Sequence, residues 1–337
     1  MTGRILVYHV GGIGDTIAAL PAFRMLQANF PGSAFDLLNL SAVPSLIHAE
    51  LYENTDLFGS RVFLRPACRP VLYARFATAA LRRKYDALYC FSPALPRSLA
   101  LAFRIRNGNR IFHCAPVGRF PDLPLAEAYL EILGTLGLAR PGGDLFAFPV
   151  AEEEARKAAS VRESLPSSPL IAFGIGGNKQ ACRWPADRYG ALIRILRTRH
   201  DFTPVFIGGS ADRTIAEPLA DRTGGIFLPG TVCRSLRETI AFLRLCRGYV
   251  GNDTGSIHLA EAAGIPCVGI FSAHNPLPAR WTPFTSGSRI LRHAPDCAGC
   301  GAAICPEGDP APCIASVTAE EAAEAAEQAL FGPDRGE

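Results

Sequence analysis

The stretch RILVYHVGGIGDTIAALPAFRMLQANFPGSAFDLLNL, residues 4–40, decides the fold. It opens with a short apolar run, RILVYHV, that ends in GGIGD. That is the pattern of a buried strand running into a tight turn. TIAALPAFRMLQANF then sets Ile17, Leu20, Phe23, Met25 and Leu26 near helical spacing, and Pro31-Gly32 stops the helix. AFDLLNL is a second strand. Strand, turn, helix and strand in this order make a βαβ unit.

The same grammar continues. YDALYCF (85–91) and RIFHC (110–114) read as strands, and LAEAYLEILGTLGL (125–138) as an amphipathic helix. At FAFPVAEEEARKAASVRESLPSSP (146–169) the character changes. A polar, alanine-rich helix leads into a Pro/Ser stretch, and this places a first domain at 1–155 and a second at 165–317. The pattern then restarts. LIAFGIGG (170–177), TPVFIGG (203–209), GYVGND (248–253) and PCVGIF (266–271) are strands. DRYGALIRILRTR (187–199), SLRETIAFLRLC (235–246) and IHLAEAAG (257–264) are helices. A last helix starts at the Thr318–Glu321 capping box and forms a third segment, 318–331. Alternation of strands and helices predicts an α/β protein whose parallel sheets are covered on both faces. Two such blocks predict two Rossmann-like domains, with ligands beyond the carboxyl ends of the strands and a central cleft between the domains.

Composition narrows the function classes. The length of 337 residues fits roughly two domains, and 48% hydrophobic with 19% charged residues fits well-cored globules. A net charge of +3 is too mild for a nucleic-acid binder. No apolar run reaches the ~18 residues of a membrane span, and the glycine-broken start is no signal peptide, so the expected location is cytoplasmic. Of the 11 cysteines, Cys90, Cys246 and Cys267 sit inside apolar elements as small hydrophobes. Cys297, Cys300, Cys305 and Cys313 cluster in a Gly/Pro-rich loop. Reduced thiols, a structural zinc site and disulfides all stay open there, although a cytoplasmic setting disfavours the last.

Three turns carry candidate chemistry. GGIGD is not a nicotinamide fingerprint, because Ile17 holds the place of the third glycine and Asp36 lies at the start, not the end, of the second strand. No GK[ST] P-loop is present. The turn instead delivers Asp15 to the mouth of a helix. An aspartate there can be a plain N-cap. The glycines around it, Gly12 and Gly14 among them, would let a substrate approach a carboxylate able to take a proton from a hydroxyl. In GNDTGSIHL (251–259) the helix amides and dipole favour an anion, Gly255 permits close approach, and Thr254 and Ser256 can donate to it. Asp253 would repel a phosphate, so it caps the turn or faces a sugar hydroxyl. His258 can donate to the phosphate or pack. In GGNKQACRWP (176–185), Lys179 and Arg183 are either solvated charges or neutralise a leaving diphosphate.

With these turns in place the sequence resembles glycosyltransferase family 9, the lipopolysaccharide heptosyltransferases. The resemblance runs through GIGDTIAALPAFRMLQANFPGSAFDLL, RRKYDALYCF, RWPADRYGALIRIL, FIGGSADRTIAEPLAD, LPGTVCRSLRETIAFLRLC and GNDTGSIHLAEAAGIPCVGIF. It implies a GT-B fold whose C-terminal helix crosses back to the first domain. It implies a nucleotide-diphosphate sugar donor, ADP-heptose, on the second domain, and an inner-core glycan or glycolipid acceptor on the first, met at the inner face of the cytoplasmic membrane. The reaction would invert the anomeric centre with no metal or other cofactor. Asp15 matches the catalytic base. Asp253, Thr254, Gly255, Ser256 and His258 match the donor turn, and Asp212 a ribose-contacting position that is usually Glu. Cys182 stands where the resemblance expects a lysine near the diphosphate, while Arg183 keeps its basic position and Lys179 lies three residues earlier. His274 and Asn275, in FSAHNP (271–276), would meet the donor's base or sugar. On the acceptor side Arg97 is the leading cation, among Arg82, Arg83, Lys84, Arg104, Arg106, Arg110 and Arg119. The alternatives are a binding protein that has lost turnover, and a transferase with another sugar and acceptor.

Overall fold

The computed structural model describes residues 3–41, 47–53, 55–64, 78, 85–92, 95, 97, 99–101, 110–114, 119–229 and 234–332. The chain divides into two compact units, Met1–Phe146 and Ala147–Glu337.

In the first unit β1 (Arg4–Gly11), β2 (Ala34–Ser41), β3 (Ser60–Leu64), β4 (Ala87–Phe91) and β5 (Ile111–His113) form a parallel sheet in the order β3-β2-β1-β4-β5. Helix α1 (Ile13–Asn29) follows β1 and packs beside α2 (Leu125–Thr135). Ten of its residues are buried, Thr16 to Phe23 with Met25 and Leu26, which makes it a core helix more than an amphipathic cover. Phe23 meets Phe58 and Phe91 edge-on at 5.3 and 5.1 Å. Asp36 is held at the start of its strand by the Tyr85 hydroxyl (2.9 Å) and Arg4 (3.2 Å), a structural use far from the strand's carboxyl end.

The division between units falls ahead of the boundary expected at 155–165. Helix α3 (Glu152–Glu163) belongs to the second unit because Glu154 forms a buried ion pair with Arg237, Nε to Oε1 2.6 Å and Nη2 to Oε2 3.0 Å. Arg237 also donates to the Pro149 carbonyl and lies over the Phe148 ring. A guanidinium that is only 2% exposed fixes this segment firmly.

The second unit is a six-stranded parallel sheet. β6 (Leu170–Gly174), β7 (Thr203–Gly208), β8 (Ile226–Pro229), β9 (Gly248–Asn252), β10 (Cys267–Ile270) and β11 (Arg289–Leu291) lie in the order β11-β10-β9-β6-β7-β8. Between them run α4 (Ala186–Arg197), α5 (Arg213–Thr223), α6 (Leu236–Leu243) and α7 (Gly255–Ala262). The last helix, α8 (Ala319–Leu330), was expected to reach back to the first unit. Its buried face, Ala322, Ala323, Ala326, Ala329 and Leu330, joins the core of the second unit, against α4 and strands β9 to β11. The alanines let the helix approach closely, and Gly248 leaves room for Leu330. The expected capping box is present: Thr318 Oγ1 accepts from the Glu321 amide and Glu321 from the Thr318 amide, at 3.1 and 2.8 Å. Among the described residues no helix is long and apolar enough to cross a membrane.

Candidate active site

In the first unit the strand order reverses between β1 and β4, so the crevice lies beyond their carboxyl ends. Asp15 follows β1. Helix α1 begins earlier than the sequence implied, with Gly12 as N-cap and Asp15 at the third helical position. The carboxylate reaches back and accepts from the Gly12 amide at 3.0 Å. Asp15 is therefore no ordinary N-cap. It is folded over the glycine turn, where a Cβ at Gly11 would stand 2.8 Å from Oδ2, while nothing lies within 4 Å of a Cβ at Gly12. Gly14 is half-buried in the first helical turn. Arg97, after β4, is exposed, as are Arg110 and Arg119. Arg82, Arg83, Lys84, Arg104 and Arg106 lie outside the described residues.

Below this turn sits a buried polar chain that the sequence did not disclose. Asn39 donates to His9 Nδ1 (2.9 Å), and its carbonyl accepts from His48 Nε2 (2.7 Å). An amide that donates to His9 Nδ1 requires a neutral His9 ring protonated on Nε2, and its carbonyl requires a proton on His48 Nε2. Burial, reinforced by His48, pushes the His9 pKa down to about 3, and burial lowers that of His48.

In the second unit the order reverses between β6 and β9, and the turns singled out in the sequence meet there. After β6, Arg183 donates through Nε and Nη2 to the Gly177 carbonyl, at 2.8 and 2.6 Å, which fixes an exposed guanidinium on the glycine turn. A Cβ at Gly177 would lie 3.0 Å from Thr254 Cγ2, so this turn and the start of α7 touch. After β7, Asp212 accepts from the Gly209 amide (2.9 Å), and its carboxylate fills the space beside Gly176 and Gly208.

After β9, α7 begins with Thr254, not Asp253, as N-cap. The Thr254 side chain makes no capping bond to the helix. The Thr254 hydroxyl pairs with Ser256 Oγ (2.9 Å), which also pairs with Tyr249 OH (2.7 Å). The first amides of a helix have no intrahelical acceptor, so with no side-chain cap the α7 entrance keeps its affinity for an anion. Asp253 has its pKa raised by burial, against the attraction of His258 and Lys179. His258 is 6% exposed, pairs through Nδ1 with the buried Glu261 and meets Trp281 edge-on. Glu261 also accepts from the Phe284 amide at 2.9 Å. His258 thus has a packed seat, paired with Glu261, one turn behind the helix entrance.

Asn252, which the sequence reading passed over, staples these pieces together. Fully buried, it donates to the Ile175 and Gly176 carbonyls (3.1 Å each) and accepts from the Trp184 amide (3.1 Å) and Tyr189 OH (2.9 Å). A polar residue closing an apolar strand was the only signal for it. Cys182 is 1% exposed, with its thiol pKa raised to about 11 chiefly by burial, so it stays a neutral thiol. It supplies none of the charge of the lysine expected there. Cys297 and Cys300 are exposed, Cys305 and Cys313 half-buried, and all four are free. Among the described residues no three His, Cys, Asp or Glu side chains converge as a metal site requires.

Comparison with known proteins gives this geometry a context. The family Glycosyltransferase family 9 (heptosyltransferase) matches residues 141–309, half of the chain. Lipooligosaccharide heptosyltransferase 2 of Haemophilus ducreyi is 22% identical over 333 residues, covering 86% of this chain and 88% of that protein. The solved glycosyl transferase family 9 structure from Veillonella parvula superposes with a TM-score of 0.77 at 19% identity, over 98% of this chain and 97% of that one. Escherichia coli ADP-heptose lps heptosyltransferase II does so with a TM-score of 0.71 at 18% identity, over 97% and 98%. These structures share the two-unit α/β architecture of the GT-B fold. With both glycine turns at the switch points of such units and the family pattern across half its length, the chain belongs to glycosyltransferase family 9 and is a glycosyltransferase.

Proposed function

We propose that this glycosyltransferase moves a heptose-like sugar from a nucleotide diphosphate, ADP-heptose, to a lipopolysaccharide inner-core sugar or related glycan, with inversion of the anomeric centre. One observation carries the reading. Lys179, Arg183, Asp212 and the amides at Gly255 and Ser256 all stand at the carboxyl ends of β6, β7 and β9, the place and chemistry for a nucleoside diphosphate. The names of the relatives supply the sugar and the acceptor.

In this reading Asp15 accepts the proton of an acceptor hydroxyl as its oxygen attacks the anomeric carbon. The bond from that carbon to the diphosphate oxygen breaks, and the electron pair leaves with the nucleotide. Charge builds on the departing diphosphate, where Lys179, Arg183 and the α7 amides offset it; one well-placed donor of this kind is worth ~10²–10³ in rate. Asp212 bonds the ribose hydroxyls, Asp253 a sugar hydroxyl, and Thr254 and Ser256 the phosphate. His258 supports the turn from behind. Gly12 and Gly14 give the acceptor access to Asp15, and Arg97 meets its acidic groups. The scheme uses no cofactor beyond the donor. It places the protein in the cytoplasm, at the membrane face that carries the glycolipid.

Thermal shift with ADP, GDP, UDP and CDP tests the donor half. Ligand at ~100 times its Kd stabilises by about 2.7 kcal/mol. ADP should raise the melting temperature most. Gly255→Asp, which sets a carboxylate at the phosphate seat in a position helices favour, should abolish the shift without destabilising the apoprotein. Absence of a shift with every nucleotide overturns the reading.

A further inference from the structure

The loop after β10 carries a side-chain chain that ends on Lys179. His274, 5% exposed, puts Nδ1 2.7 Å from Ser272 Oγ and Nε2 3.1 Å from Lys179 Nζ. Cys182 Sγ lies 3.5 Å from Nδ1 and 3.7 Å from Ser272 Oγ. The proton positions follow from the donor inventory. An ammonium has three N–H donors and no acceptor, so Nε2 must offer its lone pair. The ring proton then sits on Nδ1 and is donated to Ser272. His274 is neutral and held in one tautomer by its two partners. Burial, with Lys179 and Arg292 nearby, lowers its pKa in agreement.

Lys179 needs such an anchor. Its residue is exposed and its long, flexible stem loses rotamer entropy when fixed. Lys179 follows two residues after Gly177 in the turn that touches the start of α7, where a Cβ at Gly177 would lie 3.0 Å from Thr254 Cγ2. The small, neutral Cys182 leaves the space in which the imidazole lies against its sulphur.

We infer that His274 is a positioning residue for the donor: its neutral imidazole, oriented by Ser272 and seated on Cys182, holds the Lys179 ammonium at the diphosphate. The inference rests on the function proposed above. It removes His274 from the set of groups that would read the nucleobase or sugar and makes it act through a cation 95 residues earlier in the chain.

The test is a double-mutant cycle on nucleotide affinity, read by calorimetry with ADP and with adenosine. Lys179→Ala and His274→Ala should each weaken ADP by about tenfold, the equivalent of 1.4 kcal/mol. The double variant should be no weaker than Lys179→Ala alone, because His274 has nothing else to hold. Adenosine affinity should not change. His274→Gln, whose amide oxygen can accept from the ammonium, should recover most of the ADP affinity. A purely structural histidine would lower ADP and adenosine together, and Gln would not rescue it. Wild-type ADP affinity in His274→Ala, full additivity with Lys179→Ala, or an equal loss of adenosine overturns the inference alone. Failure of the wild type to bind ADP or any other nucleoside diphosphate overturns the donor reading, and this inference with it.

Discussion

Replacing Asn252 by alanine should unfasten the donor turns and cost about 3–5 kcal/mol in the second unit. The amide makes four bonds from a fully buried position, to Ile175, Gly176, Trp184 and Tyr189. In the variant the Trp184 amide loses its acceptor, and two carbonyls lose a shared donor. Tyr189 OH keeps one partner, the Gly174 carbonyl at 3.2 Å. Leaving a buried polar group unmatched costs ~1–3 kcal/mol, so one complete and two partial losses give the figure above. Asn252→Asp should be no milder, since it turns an acceptor toward the two carbonyls. Both tryptophans, Trp184 and Trp281, belong to the second unit, so their fluorescence during urea unfolding reports on that unit alone. The variant's nucleotide-induced shift should shrink too, because Asn252 ties the β6 turn to the end of β9. A change below about 1 kcal/mol with unaltered nucleotide binding would refute the reasoning: the turns would then be held by their glycines and the sheet, not by this amide.

Other expectations are narrower. Asp15→Asn should cut sugar transfer by ~10²–10⁴ while leaving the nucleotide-induced thermal shift intact; transfer at the normal rate would remove Asp15 as the base. Glu154→Gln leaves the Arg237 guanidinium buried without a counter-charge and should destabilise the second unit by roughly 3–5 kcal/mol, read by the same urea titration. The neutral His9 makes the first unit acid-sensitive. Its pKa is about 3 folded against an ordinary 6.5, so the unfolded chain binds more protons below that value and stability falls as pH drops from 6.5 toward 3. At pH 5 the loss is about 2 kcal/mol, with His48 acting in the same direction, and a melting curve of His9→Gln across this range should be flatter than that of the wild type.

What could be read from the chain was what short-range pattern carries. Apolar runs that end in glycine announced β1, β6, β7 and β9, and with them the positions of Asp15, Lys179, Arg183 and the α7 turn. Ser60–Leu64 and Arg289–Leu291 escaped notice because they are short edge strands with little apolar pattern. Helix α5 escaped because Pro218 stands inside it, where proline normally signals a break. The attachment of α3 to the second unit rests on a buried ion pair between residues 83 apart in sequence, which no local pattern discloses. The pairing of Lys179 with His274 and the Asn39 bridge between two histidines depend on which loops the folded sheet brings together. No local pattern encodes that.

The seating of α8 has a consequence for how the protein is made. Leu330 fills the space over Gly248 and its carbonyl accepts from Arg247 Nε at 2.7 Å, so residues near 330 complete the apolar face that β9 and α4 began. The strands bearing the glycine turns therefore stay uncovered on that side until residue 330 has cleared the ribosome. The first unit faces no such wait. Synthesis thus builds a first unit that can fold while the second is still emerging. The second unit, by contrast, closes late and all at once, and a chain cut short before Thr318 would expose the very face a chaperone would have to shield.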